Sequence, residues 1–265
     1  MNPRYIVNEC VKDGYKPFGV STVESLKMMF QRNNELMNVL TSILGIVVIL
    51  GWMVYIYSII RTKQQSVRTK MFTALLFFAG LSRVAIWIFS LLGHTFSTHK
   101  STKLVEQLWK FDLISIYINV VGFSMLYLFI EAYDHISLSV FSITSLVGTL
   151  ASIGTIVYVL THPDIHNESH RAFRTLPWIF IVTIFSVPVL WKLYTIGSDK
   201  WTPWFIIALA CYFVGGFFFV TKFPECFVRW RGLEMWSLSH HWWHWANILG
   251  DSAYFLGVAK FATSI

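Results

Sequence analysis

The stretch NVLTSILGIVVILGWMVYIYSII, from Asn38 to Ile60, decides the class of this protein. It contains no Asp, Glu, Lys, Arg or His. About 20 consecutive apolar residues, rising 1.5 Å each, cross the hydrocarbon core of a bilayer as a helix, and a helix satisfies its own backbone hydrogen bonds where no water reaches. Six further apolar stretches follow, at 71–94, 112–132, 136–160, 176–194, 204–222 and 237–259. None alternates as a β-barrel strand would. The expectation is an all-α membrane protein, a seven-transmembrane helix bundle over residues 38–265, with a mixed polar N-terminal segment over 1–37. No secretory signal peptide is visible, because the first apolar run is too long for a cleaved h-region.

Composition agrees. The chain has 265 residues, of which 55% are hydrophobic and 13% charged. A soluble domain carries about 25% charged residues, so a soluble enzyme, a disordered tail and a disulfide scaffold are all excluded. The net charge of +7 reads as basic loops facing the cytoplasm and not as a nucleic-acid surface. With the N-terminus in the cytoplasm, the 21 Lys and Arg divide into 13 inside and 7 outside, the latter including Lys192, with Arg83 inside a span. The positive-inside rule therefore predicts a cytoplasmic N-terminus. The sequon Asn167-Glu168-Ser169 then faces the cytoplasm and stays unglycosylated. Cys10, Cys211 and Cys226 show neither metal-ligand nor disulfide spacing.

The rare polar groups within the spans are where chemistry is expected, since ionisable groups there are expensive. The last span opens Ser239-His240-His241-Trp242-Trp243-His244. Residues four apart share one helix face, so His240 and His244 suit one zinc ion. The alternative is a pair of interfacial histidines beside tryptophans. The second span ends Ser90-Leu91-Leu92-Gly93-His94, and Asp112 opens the third. Under the topology above, His94, Asp112, His240 and His244 all fall at the cytoplasmic membrane level. Three histidines leave one position of a tetrahedral zinc for water, as in catalytic sites. Asp112 is placed to orient or deprotonate that water, and Ser90, one turn from His94, to donate to a developing oxyanion. The alternative for Asp112 is an N-terminal cap of the third helix. His99 and His241 are substitutes for the named ligands, and His162, His166 and His170 read as a loop. Arg83 and Asp251 each share a face with the histidines of their own helix. They are expected to pair across the cavity, or else Asp251 sits hydrated in a water-filled pocket.

These motifs resemble the progestin and adipoQ receptor family of seven-span proteins, which includes adiponectin receptors and hemolysin III-like proteins. The resemblance rests on Ser90, His94 and Asp112, on Ser239-His240 with His244, on Gly14-Tyr15-Lys16-Pro17, on Ser25 to Phe30 followed by Asn34-Glu35 and Asn38, and on Lys222-Phe223-Pro224-Glu225. Where the family carries His-Asn-Glu, this chain has Asn33-Asn34-Glu35. The resemblance implies zinc held by His94, His240 and His244, with Asp112 acting on the water there. It also implies an N-terminus inside and residence in the plasma membrane or in Golgi and other endomembranes. Two functions follow as expectations. One is a zinc-dependent, ceramidase-like lipid amide hydrolase with Asp112 and Ser90 as catalytic residues. The other is a receptor or scaffold, acting in lipid signalling or membrane-lipid homeostasis, in which zinc only ties helices together. Short loops favour a lipid or lipid-soluble ligand over a protein one, and no nucleic-acid partner is expected.

Overall fold

The computed structural model describes residues 10–11, 13–134, 138–162, 171–195, 197–228 and 236–265. Their regular structure is helical: α1 (Thr22–Met28), α2 (Leu36–Ile60), α3 (Val67–Thr95), α4 (Thr102–Asp134), α5 (Leu138–Thr161), α6 (Arg171–Thr195), α7 (Thr202–Thr221) and α8 (Ser239–Ser264). Five of these, α2, α3, α4, α5 and α7, are long and apolar enough to cross a membrane. The apolar part of α6 is shorter, running from Ile179 to Thr195. α8 carries His240, His241, His244, Asn247 and Asp251 and is not among the five.

α4 begins ten residues before the apolar run that announced it. Thr102–Phe111 carries charge, so hydropathy ends there, but Glu106 and Lys110 pair at 2.9 Å one turn apart and keep the segment helical. Asp112 therefore lies three turns inside α4, and it does not cap the helix N-terminus. The cap belongs to Ser101, whose Oγ accepts from the Leu104 N–H at 3.3 Å.

The helices pack α2 on α3 and α8, α3 on α4, α4 on α5, α5 on α6, and α7 on α8. α2 and α3 approach closely at Gly45, where a Cβ would stand 2.4 Å from the Trp87 ring. Such small-residue contacts suit a bundle that is held by packing in place of the hydrophobic effect. α6 and α7 are not packed along each other among the described residues, and both line one large cavity.

The N-terminal segment lies across the loop after α3. The Gly19 N–H donates to Thr98 O at 2.9 Å and the Lys100 N–H to Val20 O at 2.8 Å. The Lys16 ammonium donates to His94 O at 2.8 Å and Thr95 O at 3.3 Å, satisfying carbonyls that the end of α3 leaves unpaired. Cys10 and Cys226 form a disulfide with Cα atoms 4.9 Å apart, which corrects the expectation from spacing. Their separation of 216 residues hides the pair in sequence, and the fold joins the N-terminal segment to the turn after α7. Beside that turn, the Glu225 carboxylate accepts from the Ser239 N–H at 2.7 Å and from its hydroxyl at 2.5 Å, fixing the start of α8.

Lys192 also departs from expectation. It is fully buried in α6, where it pairs with Glu131 of α4 and with Asp199, and is not a loop cation. An ammonium without water requires such partners. The sequon at Asn167, together with His166 and His170, lies outside the described residues.

Candidate metal centre

The end of α3 and the start of α8 bring three imidazoles together. One nitrogen each from His94, His240 and His244 lies within 4.8 Å of the others. His94 and His240 meet through their Nε2 atoms at 3.2 Å. In tetrahedral zinc with nitrogens at about 2.0–2.1 Å, neighbouring ligand atoms stand about 3.4 Å apart, so this pair already has ligand spacing. These three are close enough to bind a metal ion, and they are the residues that helical spacing, for His240 and His244, and span topology, for His94, singled out.

The distal nitrogens have partners of their own. His94 Nδ1 lies 2.7 Å from Glu35 Oε2. A carboxylate only accepts, so Nδ1 carries the proton and Nε2 presents a lone pair. Burial alone would raise the Glu35 carboxyl, but the hydrogen bonds from His94 and Asn38 and the nearby Lys16 ammonium outweigh it and hold it below the usual carboxylate range. The Thr41 hydroxyl donates to Met37 O at 2.6 Å, which leaves its oxygen to accept from His244 Nδ1 at 2.7 Å. His244 Nε2 is thereby also a lone pair. A metal site needs this tautomer, with the outer nitrogen held by a carboxylate or hydroxyl. The donor set fits a divalent cation such as zinc.

Sequence reasoning assigned no role to Glu35 or Thr41. Glu35 stands at the N-cap position of α2 but makes no cap hydrogen bond. Its carboxylate accepts from Asn38 at 2.8 Å as well as from His94, so its placement serves the site. Asn38, Thr41 and Ser42 follow as a polar face on an otherwise apolar helix, the one local signal that pointed here. The contacts of Thr41 to α8 and of Ser42 to α3 are long-range and invisible in a single sequence.

Ser90 lies one turn before His94. Its hydroxyl is 3.4 Å from His244 Nε2 and 3.3 Å from Ser42 Oγ. Asp112 lines the same cavity as Ser90, His240 and His244, but it is not one of the clustered ligand atoms. His99 and His241 are committed elsewhere. His99 contacts Thr22 Oγ1 and accepts from the Ser101 N–H, while His241 accepts from the Leu238 N–H and meets Asn34 O, each at 3.1 Å.

The cavity above the histidines has a volume of about 660 Å³. Its walls come from α3, α4, α6, α7 and α8 and are mainly apolar, with Phe185, Phe213 and Phe217 among them. Midway stands a polar knot. The Arg83 Nε–H donates to Asp251 Oδ2 at 2.8 Å, so the two buried charges pair across the bundle as expected. Asp251 also accepts from Trp87 Nε1 at 3.3 Å and from the Tyr212 hydroxyl at 2.9 Å.

The profile of the haemolysin-III related family matches residues 30–255, a range that contains His94, Asp112, His240 and His244. The chain is 22% identical over 259 residues to the adiponectin receptor protein of Drosophila melanogaster. That match covers 96% of this chain and 56% of the fly protein, so the chain spans about half the length of the curated relative it matches.

Proposed function

The chain belongs to the haemolysin-III related family, the progestin and adipoQ receptors, and from that premise we propose a receptor-like, multi-pass membrane protein that acts on a lipid at a zinc site. In this reading residues 38–265 form seven spans, α6 and α8 included, and residues 1–37 lie in the cytoplasm. The protein resides in the plasma membrane or an endomembrane, and the zinc site sits near the cytoplasmic face. The observation that carries the reading is the convergence of three imidazoles, two of them held in the ligating tautomer, at one end of a largely apolar cavity.

His94, His240 and His244 would hold the ion, and Glu35 and Thr41 orient two of them. Zinc supplies Lewis acidity and lowers the pKa of water to about 7. The reaction we assign is hydrolysis of a ceramide-like lipid amide. Asp112 takes the proton of the water that attacks the carbonyl carbon, and it returns a proton to the leaving amine. The Ser90 hydroxyl donates to the carbonyl oxygen as negative charge gathers there. The apolar walls exclude bulk water. The separation of α6 from α7 lets a long chain enter sideways from the bilayer.

A second reading treats the ion as structural, tying α3 to α8 without turnover. It draws support from the number of ties the site already has, since Glu35 and Thr41 bind the start of α2 to the same histidines.

The deciding experiment measures zinc in the purified protein and turnover of fluorescent ceramide, wild type against His94→Ala. Zinc near one per chain that is lost in the variant, with turnover lost alongside it, is the expected result. No zinc in the wild type removes both readings, and zinc without turnover leaves the structural one.

A further inference from the structure

Arg83 has hydrogen-bonding capacity that the protein does not use. A guanidinium carries five N–H donors. Nε donates to Asp251 Oδ2 at 2.8 Å, Nη2 to Asn247 Oδ1 at 2.7 Å and Nη1 to Asn119 Oδ1 at 3.3 Å. One N–H on each terminal nitrogen has no acceptor among the described residues. The residue is only 6% exposed, yet it lines the cavity, whereas Asp251 stands behind it and does not. The rings of Trp87, Phe123 and Tyr212 lie 5.4, 5.8 and 5.7 Å from the guanidinium carbon and frame it.

A buried donor of this kind, in a cavity walled by apolar side chains, calls for an oxygen acceptor from whatever fills the cavity. Its charge is already balanced by Asp251, so a neutral hydroxyl or carbonyl oxygen meets the need and a second carboxylate does not. Depth follows from α8. Asn247 lies three residues beyond His244 and seven beyond His240, about 5–10 Å further into the bundle at 1.5 Å per residue. An extended carbon chain covers that distance in about four to eight bonds.

We propose that Arg83, held by Asp251, Asn247 and Asn119, is a specificity-determining subsite for a lipid that carries a hydroxyl or carbonyl oxygen about six bonds beyond the group that meets the histidines. The proposal rests on the reading above, that the cavity takes a lipid with its head at His94, His240 and His244. A plain hydrocarbon chain passes the same place but leaves the two N–H groups unbonded, so it binds less tightly.

The test is displacement of tritiated stearic acid from the purified, detergent-solubilised protein by unlabelled stearic acid and by its 2-, 7- and 12-hydroxy derivatives. The 7-hydroxy acid is expected to displace at about one-tenth the concentration of the others. That advantage should vanish in Arg83→Lys, which keeps the charge against Asp251 but loses the spare N–H groups. It should vanish also in the double variant Arg83→Met with Asp251→Leu, which removes both charges together; stearic acid, which no longer leaves N–H groups unbonded there, should bind both variants no more weakly than it binds the wild type. Equal displacement by all four acids overturns the proposal, and so does an advantage that survives in both variants. Failure of tritiated stearic acid to bind at all rejects the lipid-cavity reading and this proposal with it.

Discussion

His94 Nδ1 and Glu35 Oε2 stand 2.7 Å apart, joining the last turn of α3 to the residue that precedes α2. The contact couples folding to chemistry. Glu35 lies at the start of a helix whose first polar residues, Asn38 and Thr41, also reach the site. Lys16, from the N-terminal segment, closes the backbone end of the same turn by donating to His94 O. The histidine is thus held at ring and backbone by two segments remote in sequence.

Replacing Glu35 by Gln keeps the side-chain volume and removes the charge that fixes the His94 tautomer. On the zinc reading, loss of such an outer partner weakens metal binding by about 10–100-fold. Thr41→Val acts in the same direction through His244. The measurement is the chelator concentration that strips half the metal from each purified variant. Unchanged resistance to chelator in both would show that neither residue orients a ligand.

Arg83 and Asp251 should be energetically coupled. Removing either alone strands a buried charge, at a cost of about 3–5 kcal/mol, while removing both strands none. Arg83→Ala and Asp251→Ala should each lower the thermal midpoint of the detergent-solubilised protein. The double variant should sit well above the sum of the two losses. Additive losses would mean that the pair, although 2.8 Å apart, contributes no coupling.

Much of this arrangement was legible in residues four or eleven apart on one helix. The spacing of His240 and His244, of Ser90 and His94, and of Arg83 and Asp251 relative to their histidines follows from helical periodicity alone, so the sequence identified the face of each helix. It could not identify what that face meets. Glu35 looked like a polar residue before a span, and only the packing of α2 against α3 and α8 makes it a partner of His94. The start of α4 was misplaced because hydropathy ends where Lys103, Glu106 and Lys110 begin, although helix formation does not. Lys192 looked like a loop cation because its partner Glu131 lies on another helix.

The disulfide offers a check on how the chain ends are placed. Cys10 and Cys226 must lie on one side of the membrane to pair. After oxidation with diamide, proteolysis in the region between them should leave the two terminal fragments linked on a non-reducing gel and separate on a reducing one. Cys226→Ser should give separate fragments in both. In cells, a cytoplasmic location would keep the pair largely reduced until oxidant is added, because glutathione and thioredoxin maintain thiols there. A bond fully formed in untreated cells would place the N-terminal segment in an oxidising compartment and reverse the proposed orientation.

Asp112→Asn separates the two functional readings most directly. Asp112 lines the cavity beside the histidines without joining their ligand cluster, so its loss should leave zinc content and thermal midpoint close to wild type. If the carboxylate serves as the general base, ceramide turnover should fall by about 10²–10⁴-fold, the usual contribution of such a group. Ser90→Ala should cost less, since a single oxyanion donor is worth about 10²–10³-fold and the metal shares that task. Turnover that persists in Asp112→Asn with zinc still bound would remove the carboxylate from the chemistry. If zinc instead leaves with the Asp112 carboxylate, that side chain helps to hold the ion, and the case for its acting as a base on water weakens.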